Sequence, residues 1–235
     1  MDIHQIWIGG KMPKRDKSDV AGIRGRAKAA GHTHRLWKYD DIEIPEHAAE
    51  ALWKAQDMLP HTMFSSIVTD YYRMKLLGAK PGSVYMDTDV VCTVPEFPEF
   101  PEGADIYACT TSNGKTINTC ILYAATELGS RGCAVAADIV LSKLKLLFKD
   151  GGDGMAEKLV EELKAQPYSL ANFVGPIFFR DVCMPVLARG GVRLELFDLS
   201  FAATRRKDAK LCHRGSGKWC FGGNGNPHYK EDGQS

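Results

Sequence analysis

Residues 84–91 have the sequence VYMDTDVV, and they follow a Pro-Gly pair at 81–82. Successive side chains of a β-strand point to opposite faces, so this alternation predicts a buried strand with Tyr85, Asp87 and Asp89 on one face. Two neighbouring carboxylates at the end of a buried strand cost free energy unless a cation or hydrogen-bond donors compensate them. We therefore expect a divalent cation here, because ligands of open α/β sheets collect at the carboxyl ends of strands. The alternative is a pair of solvated carboxylates, since Asp-x-Asp alone is a weak signal.

Strand and helix patterns alternate along the rest of the chain. The sequence predicts strands at 3–8, 34–39 and 192–197, helices at 16–30, 45–58, 61–77, 133–149, 154–165 and 176–189, and apolar runs at 104–110 and 117–124. Helices of this length between strands imply crossover connections, which predicts an α/β fold with a mainly parallel central sheet. No repeat or linker divides the chain, so we expect one domain over residues 1–221 and a flexible tail over 222–235.

The composition excludes several classes of protein. The chain has 235 residues with 30 Lys and Arg against 29 Asp and Glu, a net charge of +1 and 44% apolar residues. This balance excludes a wholly basic nucleic-acid coat and an acidic disordered chain. The sequence has no run of 18 apolar residues and no signal-peptide pattern, which predicts a cytoplasmic protein without a transmembrane segment. Seven cysteines without any C-x-x-C pattern indicate reduced thiols in the core.

The helix before the acidic strand carries a second group of polar residues. Ser66, Asp70 and Arg73 are spaced i, i+4 and i+7, which places them on one helix face and puts Asp70 within reach of Arg73. An exposed ion pair is one interpretation. The other follows from position: the helix leads directly into the acidic strand, so Arg73 is well placed to neutralise phosphate oxygens beside a metal.

Two further features have both a structural and a functional interpretation. Trp7 ends the first predicted strand, just before Gly9-Gly10, where it is either a core aromatic residue or a stacking wall for a nucleobase. The stretch 205–218 contains six cations and one acid, Asp208, and is either a solvated face or an anion site. Asn118 and the Gly175-Pro176 turn carry little signal by themselves.

Taken together, these segments resemble the DXD-containing glycosyltransferases of family 32, which include α-mannosyltransferases and capsule-type sugar transferases, with the glucosylating bacterial toxins as distant relatives. The resemblance rests on blocks in the same order. Residues 4–9 (HQIWIG) resemble the opening I-H-Q-I-W-x-G block, 36–37 (LW) the second strand, 69–73 (TDYYR) the S-D-x-x-R-Y block, and 84–90 (VYMDTDV) the I-Y-L-D-x-D-V block. Gly175-Pro176 resembles a later G-P turn, and His213 with Trp219 resembles the closing His and Ser-Trp. The similarity spans most of residues 3–220.

The chain departs from the family pattern at three places. Pro81-Gly82-Ser83 stands where the family has Gly-Gly, and Met74 follows Arg73 where an aromatic residue is common. Lys218 stands where the family has Ser beside the final Trp, and Ser216 is the nearby serine that would replace it.

The resemblance implies a GT-A-type, Rossmann-like single domain that binds a nucleoside-diphosphate sugar and Mn²⁺ or Mg²⁺. It implies that Asp87, Asp89 and His213 hold the metal and that Arg73 acts with the two aspartates in catalysis. The donor site it implies consists of Trp7, Asp70, Arg73, Tyr85, Asn118, Ser216 and Trp219. Transfer with retention of anomeric configuration is expected, without an evident protein nucleophile. The expected acceptor is a saccharide or lipid-linked glycan, with an anionic acceptor such as modified nucleic acid as the option that the 205–218 stretch favours.

Two other functions are also compatible with the sequence. A sugar nucleotidyltransferase also uses paired aspartates and a glycine-rich N-terminal loop, which Gly9-Gly10 and Arg15 partly match, although the full G-x-G-T-R pattern is missing. A non-catalytic nucleotide-sugar-binding module is the third option, and the presence of both Asp87 and Asp89 argues against it.

Overall fold

The computed structural model of the protein describes residues 1–111, 117–149, 154–166 and 170–214. Within these residues, nine strands form one sheet. The strands are β1 (Asp2–Trp7), β2 (Thr33–Lys38), β3 (Ser83–Met86), β4 (Val90–Cys92), β5 (Ile106–Thr110), β6 (Ile117–Ala124), β7 (Leu194–Leu196), β8 (Ala202–Thr204) and β9 (Leu211–His213). The helices are α1 (Lys14–Ala29), α2 (Glu46–Met58), α3 (His61–Ala79), α4 (Glu127–Phe148), α5 (Met155–Ala165), α6 (Leu170–Phe173), α7 (Pro176–Phe178) and α8 (Met184–Arg189). Ser216, Lys218, Trp219 and the predicted tail at 222–235 lie outside the described residues.

The predicted fold class is confirmed. The strand order is β2-β1-β3-β6-β5-β8-β9-β4, with β7 added beside β5. Five of the eight pairings described are parallel, and the antiparallel ones join β6 to β3 and β5, and β4 to β9. The sheet is strongly curled, because β4 stands at the far end of this order yet begins only four residues after β3 ends.

The prediction of one continuous strand over 84–91 is wrong. The chain pairs with β1 and β6 as far as Met86, turns at Asp87–Asp89, and then pairs with β9 as the separate strand β4. The turn is fixed at both ends: the backbone N–H of Asp87 donates to the Cys120 carbonyl at 2.8 Å, and that of Val90 donates to the Asp87 carbonyl at 3.1 Å. The two carboxylates therefore belong to a turn at the mouth of the sheet and not to the face of one strand.

Helix α4 begins at Glu127, six residues before the predicted start near 133. The Thr126 side chain accepts a hydrogen bond from the Gly129 N–H at 3.1 Å, which caps the helix. Glycine is required at 129, because a Cβ there would lie 2.0 Å from the Asp105 carbonyl oxygen. Gly129 resembles a helix breaker in the sequence. In the fold it allows the first turn of α4 to pack directly against Asp105, the residue before β5.

The predicted helix 176–189 is interrupted. A π-helical segment, Phe179–Cys183, separates α7 from α8. Pro185 follows in the first turn of α8, and since proline has no N–H it cannot continue the regular hydrogen-bond ladder of the preceding helix.

By length and composition alone, the stretch Leu170–Arg189 would pass as a membrane span, and among the described residues it is the one such stretch. Phe173, Phe178 and Phe179 from this stretch are buried in the core cluster that also contains side chains of α3 and α4. This burial is what a core helix of a folded domain shows.

Two apolar clusters form the core. The larger one joins α2, α3 and α4 to the sheet through residues such as Leu52, Ile67 and Leu144. The smaller one, around α1, includes Ile23, Val84, Met86, Ile121 and Phe197. The six described cysteines are free and buried.

Candidate active site

A cleft of about 630 Å³ opens at the end of the sheet where β1 and β3 finish. Its walls come from the loop after Trp7, one face of α3, the turn Asp87–Asp89, the Gly175–Pro176 turn and His213. Several predicted site residues that are far apart in the sequence line it together: Trp7, Asp70, Arg73, Tyr85, Asp87, Asp89, Asn118 and His213. Their assigned roles stay predictions, while their convergence on one cleft is a feature of the fold.

Asp87, Asp89 and His213 form a compact cluster at the cleft. One ligand atom from each lies within 4.8 Å of the others. The His213 Nε2 is 3.1 Å from Asp89 Oδ1 and 3.4 Å from Asp87 Oδ2. The strand pairing sets this geometry, because β9 places His213 directly opposite Val90, the residue after Asp89. The curl of the sheet thus joins residues that are more than 120 positions apart in the chain.

Electrostatics at this cluster favour bound positive charge. Burial lowers the pKa of His213, but the Asp89 and Asp87 carboxylates outweigh it and raise that pKa well above its ordinary value. The donor set also fits a divalent cation: carboxylate oxygens suit Mn²⁺ and Mg²⁺, and an imidazole nitrogen is a ligand of transition metals rather than of Mg²⁺. Two carboxylates and one imidazole are therefore suited to Mn²⁺ above Mg²⁺.

Arg73 lies beside this cluster with its guanidinium group engaged by the chain itself. It donates from Nη1 to the Thr119 carbonyl at 2.6 Å and to Thr119 Oγ1 at 3.0 Å, and its Nη2 is 2.9 Å from Asp70 Oδ1 and 3.8 Å from Asp87 Oδ1. The predicted contact between Asp70 and Arg73 is confirmed, and the alternative of an exposed pair is wrong, since both residues are buried. Burial raises the pKa of Asp70 to about 6 against the opposing effect of Arg73.

Asp87 is held from two more directions. The Tyr85 hydroxyl donates to Asp87 Oδ1 at 2.6 Å, and the Gln5 Nε2 donates to the Asp87 carbonyl oxygen at 3.0 Å. Gln5 in turn forms a hydrogen bond with His34, with 2.9 Å between Gln5 Oε1 and His34 Nε2. Burial lowers the pKa of His34 to about 4, so the imidazole is neutral at pH 7 and its Nε2–H donates to Gln5.

Gln5 and His34 are not among the site residues predicted from the sequence. Gln5 is fully buried in the middle of β1, between apolar neighbours Ile3 and Ile6 that are also buried. A polar side chain at a core position of a strand requires partners, and this is the signal that identifies it. His34, Gln5 and the Asp87 carbonyl form a relay from β2 through β1 to the acidic turn, which we call the β1 relay.

Trp7 and Asn118 are both tied to their surroundings at the cleft. The indole Nε1–H of Trp7 donates to the Gly10 carbonyl at 2.9 Å, which fixes the loop that follows β1. The Asn118 amide donates to Thr204 Oγ1 at 3.1 Å and accepts from the Cys120 N–H at 3.0 Å. These contacts fix the orientations of the Trp7 ring and the Asn118 amide before any ligand enters.

The cleft face of α3 presents a row of hydroxyl groups. Ser65, Ser66 and Thr69 donate to the carbonyls four residues earlier, at 2.7, 3.0 and 2.8 Å. Because each hydroxyl hydrogen is used within the helix, the oxygen lone pairs are the groups left for a ligand. This face is therefore suited to accept hydrogen bonds from ligand hydroxyl groups.

The basic stretch, residues 205–218, presents less unbalanced positive charge than its sequence indicates. Arg206 pairs with Asp208, and the Arg214 Nη2 is 3.1 Å from Asp19 Oδ1 on α1. Across the described part of this stretch, 205–214, no Lys or Arg lines the cleft. Part of its charge is thus balanced within the protein.

Comparisons with known proteins give structural likeness only. No family model and no curated protein matches the chain by sequence. Among solved structures it is similar to a glycosyltransferase involved in glycosylation of the major capsid of PBCV-1, at 12% identity over 91% of this chain and 92% of the other, with a TM-score of 0.47. It is similar to the YGT toxin glycosyltransferase domain, at 12% identity over 83% and 79% with a TM-score of 0.47, and to the PaToxG glycosyltransferase, at 10% over 73% and 78% with a TM-score of 0.40. At these identities and TM-scores, the likeness does not identify the activity of this chain.

Proposed function

We propose that the protein is a metal-dependent, retaining glycosyltransferase that moves a sugar from a nucleoside-diphosphate sugar to an acceptor. The observation that carries the proposal is the convergence of Asp87, Asp89 and His213 within 4.8 Å at a cleft of about 630 Å³. The cleft has room for a nucleotide sugar, since small-molecule sites measure roughly 300–1,000 Å³. The ordered blocks shared with family 32 support the same function, and we extend it to a GT-A-type domain over residues 1–221.

In this proposal Asp87, Asp89 and His213 hold Mn²⁺. When bound, the cation supplies Lewis-acid stabilisation of the charge that develops on the departing nucleoside diphosphate. Tyr85, Gln5 and Arg73 hold Asp87 in place, so the negative groups need little reorganisation when the donor enters.

The remaining walls of the cleft bind and orient the donor. The α3 hydroxyls accept hydrogen bonds from the sugar, and Asp70 is placed on the same face to accept one more. Trp7 offers its ring to the nucleobase. We assign Ser216 and Trp219 to the donor site on the resemblance alone, and we propose no protein nucleophile or general base.

The acceptor is a saccharide or lipid-linked glycan in this proposal, with an anionic acceptor as the second option. The basic stretch supports an anionic acceptor, because residues 205–218 carry six cations against one acid. Attraction of this kind acts through solvent and weakens as salt rises.

A screen of nucleotide sugars for Mn²⁺-dependent hydrolysis tests the proposal. We expect release of nucleoside diphosphate from one donor class, and loss of this activity in Asp87→Ala and Asp89→Ala with the fold retained. Asp57→Ala is the matched control, because Asp57 is an exposed acid on α2 outside the cleft. Undiminished turnover of either cleft variant in saturating EDTA would refute the metal role.

Two further assays separate the other two functions. Pyrophosphate release from a sugar phosphate and a nucleoside triphosphate would indicate a nucleotidyltransferase. Donor binding without any turnover, in the presence of Mn²⁺ and candidate acceptors, would indicate a binding module.

A further inference from the structure

A second pocket, of about 430 Å³, adjoins the cleft at Trp7. The two share Trp7, Gly9, Gly10 and Lys11, so the loop after β1 borders both spaces. We call this second space the β2 pocket, because it is lined by residues at the end of β2 and just after it: Leu36, Lys38, Tyr39 and Asp40.

The polar groups of the β2 pocket are of two kinds. Lys11, Lys17 and Lys38 provide ammonium donors, and Asp40 provides a carboxylate acceptor. Trp7, Leu36 and Tyr39 provide the flat and apolar surface that a nucleobase needs. A pocket with ring surface, donors and one carboxylate is suited to a base that presents acceptors on one edge and donors on another.

Asp40 and its neighbour Asp41 differ in their partners. Asp41 accepts from the Lys38 N–H at 2.8 Å and from Arg35 at 3.2 Å, so its carboxylate is used to stabilise the short helical turn at the end of β2. Asp40 makes no such hydrogen bond or ion pair with the described residues, and it lines the pocket. Asp40 is therefore the carboxylate with free acceptor capacity.

We propose that the β2 pocket selects guanine, so that the donor is a guanosine-diphosphate sugar; this inference rests on the proposed function. Guanine presents two adjacent donors, N1–H and the N2 amino group, which a carboxylate can accept together. Its O6 and N7 are acceptors that lysine recognises, and Lys38 and Lys17 supply that chemistry.

The other common bases fit this set of groups less well. Uracil presents a single N–H between two carbonyl oxygens, so a carboxylate that accepts from this N–H lies close to the carbonyl lone pairs and is repelled by them. Adenine and cytosine each present an amino group next to a ring nitrogen that is itself an acceptor. A polar group left without its partner in a binding site is the strongest basis for discrimination between similar ligands.

Calorimetric titration of the full chain with GDP, UDP, ADP and CDP, each with Mn²⁺, tests the inference. We expect GDP to bind at least tenfold more tightly than the other three. Asp40→Asn should weaken GDP binding at least tenfold and leave UDP binding within twofold. Glu161→Gln is the matched control, since it removes the same charge from an exposed position on α5 outside both pockets.

The outcomes distinguish this inference from the proposed function. Tighter binding of UDP than GDP, or equal weakening of both by Asp40→Asn, overturns the guanine assignment and leaves the transferase proposal standing. Binding of inorganic pyrophosphate as tight as that of GDP shows that the pocket does not recognise a base. No binding of any nucleotide with Mn²⁺ defeats both proposals.

Discussion

Removal of the β1 relay tests how the protein holds its acidic turn. Gln5 donates to the Asp87 carbonyl at 3.0 Å and accepts from His34 at 2.9 Å, and its side chain is fully buried. Gln5→Met keeps an unbranched side chain of similar size but removes both hydrogen bonds. The change therefore separates the polar role of the residue from its volume.

The expected loss of stability in Gln5→Met follows from the two groups that lose their hydrogen-bond partner, the Asp87 carbonyl and the His34 imidazole. Each hydrogen bond contributes about 0.5–1.5 kcal/mol net, and a buried group left without a partner costs about 1–3 kcal/mol. The His34 imidazole and the Asp87 carbonyl are only partly buried, so water can partly replace the amide. We expect Gln5→Met to lower the free energy of unfolding by about 2–4 kcal/mol. We expect Mn²⁺ affinity to fall about tenfold, since loss of groups that support metal ligands typically costs 10–100-fold.

Urea unfolding followed by circular dichroism measures the first effect, and Mn²⁺ titration by electron paramagnetic resonance measures the second. Ser83→Ala is the matched control, because Ser83 is a buried polar residue on the adjacent strand whose hydroxyl has no hydrogen-bond partner within the described residues. It should leave both measurements nearly unchanged. Wild-type stability and wild-type Mn²⁺ affinity in Gln5→Met would show that the Gln5 hydrogen bonds do not hold the acidic turn.

Three more predictions concern packing, the buried ion pair and the basic stretch. Gly78→Ala places a Cβ 2.8 Å from the backbone of Ala134 on α4, so thermal unfolding should show a loss of about 1–3 kcal/mol in the free energy of unfolding. The control Gly25→Ala has open space around the new Cβ and should stabilise the protein by about 0.5–1 kcal/mol. Arg73→Gln leaves the buried Asp70 carboxylate unpaired and should lower the free energy of unfolding in urea by about 3–5 kcal/mol. Arg35→Gln removes an exposed pair with Asp41 and should change it little; equal losses in the two variants would contradict this prediction. Neutralisation of Arg205, Arg206 and Lys207 together should impair transfer to an anionic acceptor but not donor hydrolysis, with a defect that shrinks as salt rises; equal loss of both activities would contradict it.

Local patterns predicted much of this fold because they depend on neighbours in the sequence. The Asp70–Arg73 contact follows from a spacing of three on one helix, and most predicted helices and strands lie within a few residues of their observed bounds. The early start of α4 was missed because Gly129 signals a break locally, while its real function is to permit contact with the Asp105 carbonyl.

The acidic turn could not be predicted from its own residues. The alternation over 84–91 is that of a strand, and what divides it is the pairing of Val90 with His213, a partner more than 120 residues away. The contribution of His213 to the cluster followed from the resemblance and not from spacing. The β1 relay was not predicted for a related reason. The partners of Gln5 lie on β2 and on the turn, and the sequence of β1 alone identifies neither of them.

In the proposed function, Asp87, Asp89 and His213 hold the cation that binds the donor diphosphate. Anomalous diffraction at the manganese edge, from crystals grown with Mn²⁺ and a nucleoside diphosphate, tests it directly. We expect one strong anomalous peak in coordination contact with these three side chains and with the diphosphate oxygens. A cleft with nucleotide bound and no anomalous peak at these residues, or a peak held by other residues, would contradict it.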